Sequence, residues 1–157
     1  MKALLALSLV GLTVVPVSAQ SGGRPNGLVE RARGAKKVVV ATVEDVQSNF
    51  DVNDSGDRLI VSHALMRVDE TMKGPKEPVV TMTVEGGTVG ELTLSVSDMP
   101  VMAKGDRAVV FLDESNRFQH VPRDRGLGVL KLDPTNHVEG TTTTLDEIRS
   151  AVSAAQR

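Results

Sequence analysis

The sequence predicts a mainly β domain, a small barrel with a short helix before it and an α-helix after it. Three observations lead there. Residues 38–43 (VVVATV) and 108–112 (AVVFL) are apolar on both faces, as buried strands are. Around them, short alternating runs are punctuated by Gly and Pro. The last segment carries a helix-start signal followed by an apolar stripe at helical spacing. A sandwich of two sheets is the competing architecture.

The chain opens with Met1-Lys2, an apolar run over residues 3–17, and small residues at Val17, Ser18 and Ala19 before Gln20. This reads as a secretory signal peptide, residues 1–19, cleaved after Ala19. The apolar run is short for a bilayer span, and Pro16 interrupts it. The expected location is therefore periplasmic or extracellular. Residues 20–27 (QSGGRPNG) read as a flexible polar linker, and residues 28–157 as one domain. Leu28, Val29 and Ala32 lie between Asn26, which can cap, and Gly34, which can stop a helix. One or two helical turns are expected there.

A buried strand starts at Lys37 and is expected to run to about Val46. Residues 50–57 (FDVNDSGD) form a turn-rich connection. A long strand follows over residues 59–70. Its apolar positions change parity, from Leu59, Val61 and Leu65 to Ile60, Ala64, Met66 and Val68. That change predicts a bulge or a sharply coiled strand. Lys73-Gly74-Pro75 ends it. Val80, Met82 and Val84 alternate with Val79, Thr81 and Thr83, and Leu92, Leu94 and Val96 alternate with Thr93, Ser95 and Ser97. These are two half-buried strands separated by Gly86-Gly87 and Gly90. Lys104-Gly105-Asp106 is a turn, residues 108–112 a central strand, and residues 118–121 and 128–132 close the β region. Residues 133–143 form a loop. Thr144 and Glu147 make a capping box. Leu145, Ile148, Val152 and Ala155 line the docking face of a final helix, residues 145–155.

Composition narrows the function. The chain has 18 basic and 20 acidic residues, and loss of Lys2 with the leader leaves a net charge of about −3. It offers no basic field for nucleic acid or anionic lipid, and no second apolar stretch long enough to span a membrane. There is no cysteine, which excludes disulfides, a thiol nucleophile, a lipid-modified cysteine and thiolate zinc sites. Core packing must hold the domain together, and its length permits that. The aromatic residues are Phe50, Phe111 and Phe118 alone. Sugar-binding and single-strand-binding surfaces need more stacking platforms than this.

The candidate motifs each have a plainer reading. Asp51-x-Asn53-x-Ser55-Gly56-Asp57 matches the first half of a calcium loop, but position 12 is Ser62 and a strand follows. A tight polar turn calls for the same residue types. Gly86-Gly87-Thr88-Val89-Gly90 resembles a phosphate-cradling loop, yet Glu91 and a strand pattern follow where a helix N-terminus is required. A bulge or a close backbone crossing is the alternative. His63, His120 and His137 lack metal-ligand spacing. His63 reads as a packed or interface residue and His137 as a solvated one. There is no Gly-x-Ser-x-Gly elbow. Ser95 and Ser97 lie on the polar face of a strand. Asp98 and Glu91 could pair as carboxylates, without the aromatic subsites of glycosidases. Arg123-Asp124-Arg125-Gly126 reads as a charged hairpin tip, either a partner contact or a self-compensating solvated turn.

Four blocks carry a family resemblance: Val38-Val39-Val40-Ala41-Thr42-Val43; Met66-Arg67-Val68-Asp69-Glu70-Thr71-Met72-Lys73-Gly74; Glu85-Gly86-Gly87-Thr88-Val89-Gly90; and Lys104-Gly105-Asp106-Arg107-Ala108-Val109-Val110-Phe111-Leu112. Over residues 28–132 the chain resembles a family of exported bacterial proteins of uncharacterised role. The wider pattern is similar to netrin-like modules, including the inhibitory domain of tissue inhibitors of metalloproteinases. Those have an early Val-Val strand, a long strand ending near Phe-Lys-Gly-Pro, to which Met72-Lys73-Gly74-Pro75 is similar, and an OB-type barrel with terminal helices. The inhibitors chelate zinc through an N-terminal cysteine, which this chain lacks, and mature Gln20 can cyclise and block its amine. No inhibitory residue is carried over.

The residues and the resemblance together predict an exported OB-like (netrin-like) β-barrel with a short N-terminal helix and a C-terminal α-helix. It is expected to act as a non-catalytic module, with no metal or cofactor, that binds another envelope or secreted protein. Protease inhibition by a different wedge geometry is one form of this. The contact surface is a barrel rim formed by loops 50–57, 86–91 and 123–126, since loops on a rigid scaffold carry recognition. Its binding residues are Asp51, Asn53, Asp54, Asp57, Thr88, Glu91, Arg123 and Arg125. Two alternatives stay open. One is a small secreted hydrolase built from Asp98, His63 or His120 and a serine. The other is a calcium-stabilised envelope protein.

Overall fold

The computed structural model describes residues 25–157. The signal peptide and residues 20–24 of the expected linker lie outside the described residues. Helix α1 (Pro25–Gly34) takes in the end of that linker. Eight strands follow: β1 (Lys37–Val52), β2 (Arg58–Lys73), β3 (Val79–Glu85), β4 (Gly87–Val89), β5 (Leu92–Leu94), β6 (Arg107–Asp113), β7 (Val121–Pro122) and β8 (Val129–Lys131). A 3-10 turn (Arg125–Gly128) joins β7 to β8, and helix α2 (Leu145–Ala155) ends the chain. Among the described residues no helix is long and apolar enough to cross a membrane.

The main sheet has the order β3-β2-β1-β6-β7, with β8 beside β7 along the same edge of β6. All these pairings are antiparallel. β1 and β6 explain the two apolar runs. Val39, Ala41 and Val43 of β1, with Ala108, Val110 and Leu112 of β6, face a core shared with Ala64, Met66, Val80, Met82 and Val84. Val38, Val40, Val109 and Phe111 face the other way, into a second core under the helices. A strand buried on both faces has no polar positions left to alternate, hence VVVATV and AVVFL.

Helices α1 and α2 cover the outer face with Ala32, Ala35, Leu145, Ile148 and Val152. The capping box is present: the Glu147 amide donates to Thr144 Oγ1 at 3.2 Å, and the Thr144 amide donates to Glu147 Oε2 at 2.7 Å. The predicted stripe is the buried one, with Leu145, Ile148 and Val152 in the core and Ala155 packed beside them.

The structure corrects the sequence reading in four places. The first strand runs to Val52 rather than Val46, because its outer half pairs with β2 from Asp45 to Val52. The bulges fall at Glu44, Asp69 and Met72, where the β1–β2 register shifts, and not at the change of parity. That change marks a hairpin covered on both faces. Ile60 and Ser62 lie beneath Gly86, and Val61 lines a cleft with Phe118. The strand expected over residues 92–96 is the three-residue β5, paired only with β4, with Leu92 61% exposed. Finally, the sheet curls but does not close into a barrel. Its two edges meet at one isolated parallel bridge, Met82 with His120, where the Thr83 amide donates to the His120 carbonyl at 2.9 Å. β7 is two residues long and Pro122 has no N–H, so no ladder extends from that bridge.

Phe111 is fully buried in the outer core. Phe111→Ala should cost about 3–5 kcal/mol, and Thr144→Ala about 1 kcal/mol through the lost cap. Urea unfolding of both variants checks this, and a smaller loss for Phe111→Ala than for Thr144→Ala contradicts the two-core assignment.

Candidate functional site

The outer half of the β1–β2 hairpin extends past the end of β6 and carries the first rim segment. Its turn is organised by Asn53, whose Oδ1 accepts from the amides of Ser55 at 3.0 Å and Asp57 at 2.8 Å. Asparagine is suited to this because its side chain mimics a backbone turn. Asn53 Nδ2 donates to Glu85 Oε1 at 2.9 Å. Glu85 ends β3, and its other oxygen accepts from Arg125 Nη2 at 2.9 Å. Arg125 also grips both oxygens of Asp98, through Nε and through Nη2. The Gly126 amide donates to the Asp98 carbonyl at 2.9 Å, in space that a Cβ on Gly126 would fill.

Glu85 thus ties together the segments around residues 53–57, 85–98 and 123–126. The electrostatics match. Hydrogen bonding from Arg125 holds the Asp98 carboxyl below its ordinary range, and Asp98 and then Glu85 push the Arg125 guanidinium up.

Two clefts flank Glu85. One, of about 220 Å³, is lined by Asn53, Thr83, Phe118, Pro122 and Arg125 among others. The second, of about 290 Å³, is lined by Ser48, Ser62, Thr88, Leu94, Met99 and Val101 among others. Its floor is made by the glycine pair. Gly86 (φ +102°) and Gly87 (φ +137°) adopt conformations that disfavour a side chain. A Cβ on Gly87 would collide with the hydroxyls of Ser62 and Ser48. Ser62 donates to the Gly86 carbonyl at 2.7 Å, so in the 2.8 Å Ser48–Ser62 pair Ser48 is the donor. Ser48 Oγ is left with acceptor capacity beside the cleft. The segment read as a close backbone crossing is one.

Of the eight residues named from the sequence, Asn53, Thr88 and Arg125 line the clefts beside Glu85 at one end of the sheet. Asp54 lines the smaller cleft with Asn53 and Arg125, and the other four do not join them around Glu85. Asp54 accepts from Ser115 Oγ, at 2.8 and 2.9 Å. Asp51 accepts from the Val52 amide, and the Asp57 backbone closes the turn with Asn53. Glu91 is exposed in the turn between β4 and β5. Arg123 leaves the rim altogether. It pairs with Asp113 at 2.9 Å and fills the space above Gly34 of α1.

Residues 123–126 are not a hairpin tip, since β7 and β8 both pair with β6 and not with each other. Left-handed Asp124 (φ 52°) and Arg125 (φ 58°) turn the chain there, sending the two arginines to different neighbours. The turn is self-compensating only in part: Arg123 lies 3.9 Å from Asp124, and the shorter ion pairs of its two arginines go to Glu85, Asp98 and Asp113.

Sequence reasoning missed Glu85 and the Ser48–Ser62 pair. The available signal was a carboxylate directly before two glycines at a strand end.

Of the hydrolase alternative's residues, His63 and Asp98 are bonded to other groups, while the buried ring nitrogens of His120 have no hydrogen-bond partner. His63 Nδ1 pairs with Thr83 Oγ1 at 2.9 Å, with its ring edge-on to Phe118. His137 pairs with Thr135, and Asp98 with Arg125. Among the described residues, no group of three or more His, Asp or Glu is placed to hold a metal ion. The chain matches no protein-family model and no curated protein sequence.

Gly87→Ala should destabilise by about 1–3 kcal/mol through strain and collision with Ser48 and Ser62. Gly90→Ala has open space and only the backbone penalty, so it should cost less. Equal losses in thermal or urea unfolding would contradict the crossing.

Proposed function

We propose that this chain is an exported, non-catalytic binding module that engages another envelope or secreted protein through the rim around Glu85. The observation that carries this reading is the convergence of three loop segments on one carboxylate, with a mixed polar and apolar cleft on each side. Recognition sites are built in this way, from loops and a few convergent polar groups on a rigid scaffold. Val101, 81% exposed on the rim of the larger cleft, supplies apolar surface for a partner. The signal-peptide pattern of residues 1–19 supports export. The order of elements, with an early Val-Val strand, a long strand ending at Lys73 and terminal helices, supports a netrin-like relationship. Protease inhibition is one form of the proposed binding, by a wedge that needs no N-terminal cysteine.

The test uses the folded chain of residues 20–157 as a cross-linking bait against the producer's envelope and secreted fractions. Thr88→Arg with Val101→Asp changes two exposed cleft residues, and Glu139→Lys changes an exposed residue away from the rim. One specific partner should be captured by the wild type and by Glu139→Lys, and lost by roughly tenfold or more in the cleft variant. Equal capture by all three, or no capture by a bait shown to be folded, contradicts the proposal.

A further inference from the structure

We propose that His120 is an acid-sensitive latch on the seam between β3 and β7, and that its protonation opens the smaller cleft and so regulates the rim. The regulatory meaning rests on the rim being the binding surface; the opening itself does not.

The seam is thinly held. Within the sheet it consists of the Met82–His120 bridge and the Thr83 amide bonded to the His120 carbonyl. Further along, the Glu85–Arg125 ion pair spans the same two segments. The 220 Å³ cleft lies between these links, with Thr83 and Glu85 on one bank and Pro122 and Arg125 on the other. Whatever displaces His120 removes the backbone acceptor that Thr83 uses, and the cleft widens from that end.

The His120 ring is badly placed to carry charge. Both ring nitrogens are buried and neither has a hydrogen-bond partner. A neutral imidazole leaves one buried N–H unsatisfied, whereas an imidazolium leaves two and adds a charge. The charged groups facing it come from three elements. Lys37 of β1 is itself buried and paired with Glu77 at 2.6 Å. Glu77 lies in the β2–β3 connection and Glu114 just beyond β6, and both favour the proton. β3 contributes uncharged Met82 and Thr83, and His63 of β2 is already bonded to Thr83. Burial first, and Lys37 second, outweigh the two glutamates and lower the proton affinity of His120 from its ordinary 6.5.

The sign follows. An opened, solvated His120 takes a proton as pH falls through 6.5, while the closed form resists until lower pH. The closed seam is at full strength above that value and weakens below it, by up to about tenfold per pH unit.

The test is amide exchange of Thr83, read as a protection factor, together with the NMR titration of the His120 imidazole, in the protein as exported. Protection at Thr83 should fall between pH 6.5 and about pH 5.5, by at most about fivefold, with no change at Val110 in the central strand. His120 should titrate below 6.5. In His120→Asn, Thr83 protection should lose its pH dependence, and a His137→Gln control should keep it. Titration of His120 at or above 6.5, flat Thr83 protection in the wild type, or a retained pH dependence in His120→Asn overturns the latch. None of these results bears on whether the rim binds a partner, which the cross-linking experiment decides separately.

Discussion

β1 and β6 lie side by side with apolar side chains buried on both faces, and the rest of the structure is arranged to cover them. Burial of a Val, Leu or Phe side chain contributes about 1.5–3 kcal/mol, and this central pair commits nearly every position to it. The inner face requires the sheet to curl around it. The outer face requires α1 and α2, which explains why both ends of the domain are helical. Lys37 is the exception at the start of β1. It is a buried amine held by Glu77, and after burial it is the main influence disfavouring a proton on His120.

That constraint also positions the rim. β6 pairs with β1 only as far as Thr42, so the outer half of the β1–β2 hairpin extends beyond the two-sided core. Its inner face is covered by the Gly86-Gly87 crossing, where two positive-φ glycines let the backbone pass over two serine hydroxyls. Glu85, directly before the crossing, is carried to the meeting point of the hairpin turn and the 3-10 turn. The exposed ion pairs there are weak individually. Because Arg125 shares two carboxylates and Asn53 shares one of them, the three segments are fixed relative to one another by a network.

Much of this was legible in the residues. The two-sided runs, the capping box and the stripe of α2 follow from local pattern alone, because helix period and burial on both faces leave direct marks. The rim loops were legible as loops, and Asn53, Asp54, Thr88 and Arg125, named from them, lie along the clefts beside Glu85. What was not legible depends on contacts distant in sequence. Arg123 and Arg125 look equivalent in Arg-Asp-Arg, yet two left-handed residues separate their destinations. Glu85 reads as an ordinary strand-end carboxylate until Asn53 and Arg125, at separations of 32 and 40 residues, are folded onto it. Closure of the barrel was expected from strand number and fails for a local reason, the two-residue β7 with its proline.

The central claim is that this end of the sheet, rather than the helix-covered face, is where another protein binds. The most direct measurement is an amide-exchange footprint of the chain in complex with its captured partner. The account predicts slowed exchange in residues 85–101 and 123–126, with α1 and α2 unchanged. Protection concentrated on the two helices, with the segments around Glu85 exchanging as in the free chain, would contradict it.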